Sequence, residues 1–309
     1  MINIVIKAGL LIFAVISLSG NSIYAQCCSA GNPLGSDLDF SNHGKKSLSA
    51  GLTYRYSLSD NVFKGSEKVD IGFVNKSDFN YTEFTINYAF TSKLSVRGEI
   101  GYFFNKTEYY NNGFNPARGS GIGDISLLFN YQLFQKSKFG IIAIGMGTKL
   151  PVGVFDQEAN LVKLPINVQP SSGSYKLSFQ MFQQKSFNVR TSFFSLASVE
   201  FAAWIHSKNF NWRYGNAYLL NTGFSYKPIP KLNTSLAARA EIRGRSYRDD
   251  MIIVDSSGSK VIYINPALNW KATPKISLNV GVLLPVYRYM NGIQLGNSLG
   301  TFLGLHFKF

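Results

Sequence analysis

The stretch "LNTSLAARAEI", residues 232–242, decides how the chain is read. In an extended strand successive side chains point to opposite sides. Leu232, Thr234, Leu236, Ala238, Ala240 and Ile242 therefore share one face, and Asn233, Ser235, Ala237, Arg239 and Glu241 share the other. One face suits an apolar medium; the other carries a base and an acid and needs water or a partner. The flanks repeat the pattern. "NAYLLNTGFSYK" (216–227) comes before the short turn "PIPK" (228–231), and "VIYINPALNW" (261–270) follows a longer connection.

Working outward, the same period of two predicts about twelve strands: 47–56, 81–90, 94–104, 123–134, 139–150, 174–184, 189–206, 216–227, 232–242, 261–270, 276–287 and 298–309. The segment 139–150 is apolar on both faces, so its direction is open. The connections alternate in length. "TSK" (91–93), "QKSK" (135–138), "KSFN" (185–188), "PIPK" and "KATPK" (271–275) are short; 57–80, 105–121, 151–173 and 243–260 are long, and 207–215 is intermediate. Bacterial outer-membrane barrels have short periplasmic turns and long extracellular loops, whereas a soluble sandwich gives no reason for that alternation. The fold expected is all-β: a transmembrane antiparallel up-and-down β-barrel of about 12 strands, with both ends of residues 46–309 on the periplasmic side. Fourteen strands is the alternative, because 189–206 also reads as two strands and "KVDIGFV" (68–74) as a hairpin extension. Pro266 and Pro285 fall inside expected strands and predict bulges, since proline donates no ladder hydrogen bond.

Composition agrees. Aromatic residues make up 15 % and charged residues 16 % of the 309, and mean hydropathy is +0.00. A soluble domain carries roughly 25 % charged residues. No stretch reaches the roughly 18 consecutive apolar residues of a transmembrane helix. Residues 1–25, with Lys7, an apolar run and small residues up to Ala25, read as a secretory signal peptide. An uncleaved anchor is the alternative, with a short apolar core for a span. Without Lys7 the chain has 30 bases and 17 acids, a net charge of +13. The bases are scattered on an exported chain. This points to lipopolysaccharide and anionic headgroups as partners rather than to nucleic acid.

If one face meets lipid, the other lines a lumen. The candidates there are Arg55, Glu83, Arg97, Glu99, Asp124, Arg190, Glu200, Arg239, Glu241 and His306. Both signs occur, so these groups either brace the interior or line a solute path. Arg97 with Glu99 and Arg239 with Glu241 stand two apart on one face, where each pair can reach a neighbouring strand. Of the three histidines, His206 is next to Ser207 at a strand end, and none stands two from a serine on a strand face with a third member, which speaks against hydrolytic chemistry. "GSGIGD" (119–124) opens a strand rather than a helix, so it does not place phosphate on a helix dipole. No enzyme and no cofactor is expected. Residues 26–45 form a polar N-terminal segment with Cys27, Cys28 and His43, a thin metal-ligand set.

Four stretches, taken in order, resemble the outer-membrane channel family named for the meta-pathway of phenol degradation. "GSGIGDISLLFNYQLF" (119–134) is similar to its Gly-Asp strand opening, and "MGTKLPVG" (146–153) to its strand ending in Leu-Pro-x-Gly. "QPSSGSYKLSFQMFQQKSF" (169–187) is similar to its Gly-Ser-Tyr/Trp opening. "INPALNWKATPKISLNVGVLLPVYRYMNGIQL" (264–295) is similar to its closing hairpin, with Pro285, Tyr287, Asn291, Gly292 and Gln294 in matching order. The resemblance covers the barrel from about residue 119 and implies an outer-membrane transporter, distantly like channels for fatty acids and aromatic hydrocarbons. It also implies that an N-terminal segment, here 27–45, is a candidate plug.

The expected function is passive diffusion of a small hydrophobic or aromatic solute across the outer membrane. A closed structural or surface-interaction barrel is the alternative, and metal handling through Cys27 and Cys28 the third. "SLGTFLGLHFKF" (298–309) places Gly304, Phe307 and Phe309 in a spacing that resembles the signal read by the barrel-assembly machinery.

Overall fold

The computed structural model describes residues 46–309, apart from Gly72, Asn112, Lys138, Lys208, Asn209 and Asp250. The expected signal peptide 1–25, the segment 26–45, Cys27, Cys28 and His43 lie outside the described residues.

Eleven continuous strands form the wall: β1 Ser47–Gly65, β2 Val74–Ala89, β3 Leu94–Tyr110, β4 Ile125–Ser137, β5 Gly140–Leu150, β6 Lys176–Ser186, β7 Thr191–Ala202, β8 Ala217–Ile229, β9 Leu232–Arg243, β10 Ser259–Lys271 and β11 Ile276–Lys308. Each pairs antiparallel with its neighbours, and β11 pairs back to β1, so the sheet closes on itself. Closure removes the open edges, which hydrocarbon cannot hydrate. β11 is a hairpin in one stretch. Residues 277–290 pair with β10 and 290–308 with β1, and Gly292, at φ 64°, sits at the bend. Ten single-pass strands and the two limbs of β11 make twelve staves, the smaller of the two expected counts.

The faces follow the period of two. On β9, Leu236 and Ile242 are exposed while Ala237, Arg239 and Glu241 are buried. The outward rows carry aromatic rings at both ends. Phe90, Phe187, Tyr226 and Trp270 lie near the short turns, and Tyr102, Tyr218, Tyr287 and Tyr289 lie towards the long loops. Two aromatic girdles around an apolar band are what a membrane-spanning barrel presents to lipid. β5, ambiguous by pattern, turns Ile144 and Met146 outward and Ala143, Gly145 and Gly147 inward.

Strand limits moved where loops compete. The stretch 189–206 is β7 plus a separate strand, Ile205–Ser207, with Ala203 and Trp204 between them. β1 runs on to Gly65, and Glu67–Val69 folds back on Val62–Lys64, so a hairpin does extend the wall strand, but over 62–69; of the expected stretch 68–74 only Lys68 and Val69 take part. The register with β10 shifts beside Pro285, where Ile262 faces Tyr287 and Tyr263 faces Pro285. At Pro266 the expected bulge is absent: neither neighbouring ladder shifts register there, and the Asn265 side-chain amide donates to the Val282 carbonyl at 2.8 Å.

Three long loops close the mouth opposite the short turns. Strands Ile205–Ser207, Phe210–Arg213, Tyr247–Arg248 and Ile252–Ile253 form a small sheet of their own. Buried Ile205, Trp212 and Val254 pack with Phe155, Ile166 and Tyr214, so loops 151–175, 203–216 and 244–258 share one apolar core.

Candidate functional site

Beneath that lid lies a cavity of about 150 Å³ inside the wall. Its charged lining is balanced, with Lys106, Lys149, Lys176 and Arg243 against Glu83, Glu99, Asp124 and Glu200. Tyr81, Phe103, Trp212 and Tyr214 supply flat aromatic surface. Tyr81 and Phe103 face the lumen from β2 and β3 with ring centroids 4.4 Å apart. Tyr81 lies over Gly101 of the neighbouring strand, where an added Cβ would meet the ring at 2.1 Å. A glycine on a strand face leaves the room that a large cross-strand side chain fills.

The lumenal charges are paired. Arg55 Nη2 lies 3.3 Å from Glu83 Oε1, between β1 and β2. Glu200 on β7 receives Lys176 at 3.2 Å and Lys149 at 3.5 Å. Arg97 meets Glu99 at 2.7 Å, and Arg239 meets Glu241 at 2.6 Å. Those last two are contacts along a single strand, where the spacing had suggested a reach to the next. Each pair stands two apart on one face, so its side chains lean together before either needs to cross. Arg243 adds a second base to Glu241 at 3.7 Å. A buried charge that loses its partner is costly, and these partners offset that cost for the groups they meet.

Of the expected lumenal residues, Arg55, Glu83, Arg97, Glu99, Glu200, Arg239 and Glu241 sit on inward strand faces, and His306 faces inward beside Gly51. Arg190 is placed differently, and Asp124 lines the cavity from a position just before its strand. Arg190 is exposed in the turn 187–190, because Asn188 Oδ1 accepts the N–H groups of Arg190 and Thr191 and holds the chain out of β7 until Thr191. Asp124 precedes β4 and serves as a latch. Its carboxylate accepts from Ser171 Oγ at 2.6 Å, Ser172 Oγ at 2.5 Å and Ser172 N at 3.1 Å. The loop it holds turns inward: Val168, Gln169, Ser171 and Ser174 are all buried. Gln169 Nε2 donates to the carbonyls of Leu164 and Gln157, and Lys106 Nζ donates to the Gln169 carbonyl at 2.8 Å.

Sequence reasoning missed Lys106, Lys149, Lys176, Trp212, Tyr214 and Arg243. Lys149 and Lys176 face each other directly across β5 and β6. Both stand at strand ends on a polar face, a signal visible in the pattern, but their meeting at Glu200 depends on strand pairing.

Ala143, Phe182, Leu196 and Leu219 form a buried cluster across β5 to β8, with Phe194 packed on it. Among the described residues no group of three or more His, Cys, Asp or Glu could hold a metal ion. Gly304 and Phe307 lie on the second limb of β11, and Phe309 N donates to the Leu48 carbonyl at 3.0 Å, at the seam where the barrel closes.

No protein-family model matches the chain, and no curated protein does. Solved structures do. The crystal structure of an outer-membrane channel from Pseudomonas putida F1 is similar at 14 % identity and a TM-score of 0.72, over 89 % of this chain and 100 % of that one. The NanC porin is similar at 12 % identity and 0.49, over 85 % and 100 %, and the CymD monoaromatic hydrocarbon channel at 8 % and 0.48, over 86 % and 89 %. The likeness to the Pseudomonas putida F1 channel, which spans that chain in full, shows that this chain has the fold of an outer-membrane β-barrel.

Proposed function

We propose that the protein is a passive channel of the bacterial outer membrane for a small aromatic or weakly polar solute. The observation that carries this reading is the cavity inside the wall. It combines four aromatic rings with charges of both signs, among them Glu83 paired with Arg55 and Glu200 paired with Lys176 and Lys149. Rings give an apolar or aromatic solute a surface to slide over. Paired charges keep the passage hydrated without trapping an ion of one sign. The inward loop 164–174 narrows the mouth, which suits a small solute rather than a polymer. The fold shared with the Pseudomonas putida F1 channel and the aromatic girdles support the outer membrane as the location.

The test is liposome swelling with the reconstituted barrel, using phenylalanine, benzoate and arabinose as solutes. Swelling above that of empty liposomes, faster for the two aromatic solutes than for arabinose, is the expected result. No swelling with any of the three sinks the reading.

A second reading, a closed structural barrel, is favoured by the apolar cluster of Phe182, Leu196 and Leu219 on the inner face of β6 to β8. In that case lipid bilayers containing the barrel show no ionic conductance, whichever lid residue is changed.

A further inference from the structure

The charges around the cavity are not shared out evenly. On the β2–β3 side each acid meets an arginine, Glu83 with Arg55 and Glu99 with Arg97, and Lys106 donates to the Gln169 carbonyl. On the side formed by β5 to β9 each acid meets two bases. Glu200 takes Lys176 and Lys149, and Glu241 takes Arg239 and Arg243. Asp124, the remaining acid of the lining, accepts from the hydroxyls of Ser171 and Ser172.

Strand pairing gathers the two doubled pairs. Glu200 stands opposite Ala217, and Ala217 opposite Arg243, so Glu200 and Arg243 share one level with a methyl side chain between them. Lys149 and Lys176 stand opposite each other on β5 and β6. Lys149, Lys176 and Arg243 all line the cavity. This stretch of wall therefore carries four bases against two acids. Charges act more strongly in a largely buried setting than in water, so a further negative group is favoured there.

Rings stand beside these bases. Lys176 Nζ lies 5.1 Å from the centre of the Tyr214 ring, and Trp212 packs on Tyr214 with centroids 6.2 Å apart. Tyr81 and Phe103 line the cavity from β2 and β3, across the barrel from β8. Trp212 is buried, and its Nε1 has no hydrogen-bond partner among the described residues. An indole N–H only donates, so the group it lacks is an acceptor. A cavity of about 150 Å³ has the size that takes up one benzene ring.

We propose that the cavity is a binding site for a single-ring aromatic carboxylate, with its carboxylate on the β5–β9 bases and its ring among the aromatic side chains. The proposal rests on the channel reading above and names the class of solute. Neither half of the solute suffices. A neutral ring of the same shape leaves the bases without the added acceptor, and a carboxylate without a ring leaves the aromatic surface wet. An aromatic ammonium meets the same excess of positive charge and is repelled.

The test uses the full-length barrel in planar bilayers, with potassium chloride carrying the current and benzoate, benzamide, acetate and benzylamine added as blockers. Benzoate is expected to interrupt the current at a concentration at least tenfold lower than any of the other three. Lys149→Gln and Arg243→Gln, made separately, each remove one of the two bases from an acid. Each is expected to weaken benzoate block at least fivefold and to leave benzamide block unchanged. Arg190→Gln removes the same charge from an exposed turn and is expected to alter neither. Heat-modifiable mobility on gels shows that a variant is folded. Should neither variant fold, calorimetric titration of the wild-type barrel with benzoate and benzamide carries the same comparison, with at least tenfold tighter binding of benzoate expected and equal binding overturning the site. A conducting barrel that benzoate and benzamide block alike, or folded variants that both keep wild-type block, overturns the carboxylate site and leaves the channel reading standing. A barrel that carries no current overturns both.

Discussion

β9 and the strand 117–122 both lie in the barrel wall, yet they hold their places by different physics. β9 pairs with β10 in unbroken register from Leu232↔Trp270 to Arg243↔Ser259, and with β8 on its other side. Its main-chain groups pair with neighbouring strands on both sides, and its inner charges pair as Glu241 with Arg239 and Arg243. The strand 117–122 has a ladder on one side only, and Gln157, Val168 and Gly153 close the other. A barrel can thus be sealed by hydrogen-bond ladders or by side chains and loops. The second kind of seal rests on side chains and loop packing rather than on a row of backbone pairs.

The comparison can be broken most sharply on the β9 side. Leu236→Arg puts a charge on the lipid-facing row of an intact wall and is expected to cost about 2–4 kcal/mol, read as equilibrium unfolding in bilayers. A stability equal to wild type would show that this face does not meet hydrocarbon. On the other side, Asp124→Ala removes the acceptor for Ser171 and Ser172. Hydrogen bonds to a charged group are worth about 1.5–3 kcal/mol. Amide hydrogen exchange at 166–173 should therefore accelerate by one to two orders of magnitude, while exchange in β9 stays unchanged. Acceleration spread evenly over the barrel would mean that Asp124 supports the whole fold rather than the loop. Gly119→Val forces a side chain into the space of the Val168 carbonyl. Overpacking costs about 1–3 kcal/mol, expected here as faster proteolysis at the exposed loop hairpin 158–163. Uncut protein at wild-type rate would show that the loop yields without strain. The smallest effect is expected from Arg245→Ala, because Arg245 lies 3.6 Å from Asp255 with both side chains largely in solvent. Exposed pairs contribute about 0–1 kcal/mol, so the unfolding midpoint should scarcely move.

Much of the wall was legible in the sequence. The alternation that sets Leu236 against Arg239 follows from strand geometry at each residue and its neighbours, so one stretch suffices to read it. The bulge at Pro285 was legible for the same reason: a missing N–H is a property of the residue. The limits were set by competition from loops. β7 stops at Ala202 because Ile205–Ser207 pairs with Phe210–Arg213 in the lid sheet, and no local pattern announces that. Arg190 had the spacing of a lumenal residue but belongs to a turn fixed by the side chain of Asn188.

By itself the sequence determined an all-β chain with an apolar row and a polar row on each strand, short turns at one end, long loops at the other, and charges of both signs inside. These are local properties, repeated until closure is the only way to satisfy every edge. The tertiary structure decided which charges meet, which way β5 faces and where the wall lacks a ladder. Lys149 and Lys176 share Glu200 only after β5, β6 and β7 pair. Asp124 finds Ser171 47 residues away, and Gln157 reaches Ser120 across 37. Contacts at such separations depend on how the loops fold back into the barrel, and that depends on the room left by Gly119 and Gly153, which no periodicity encodes.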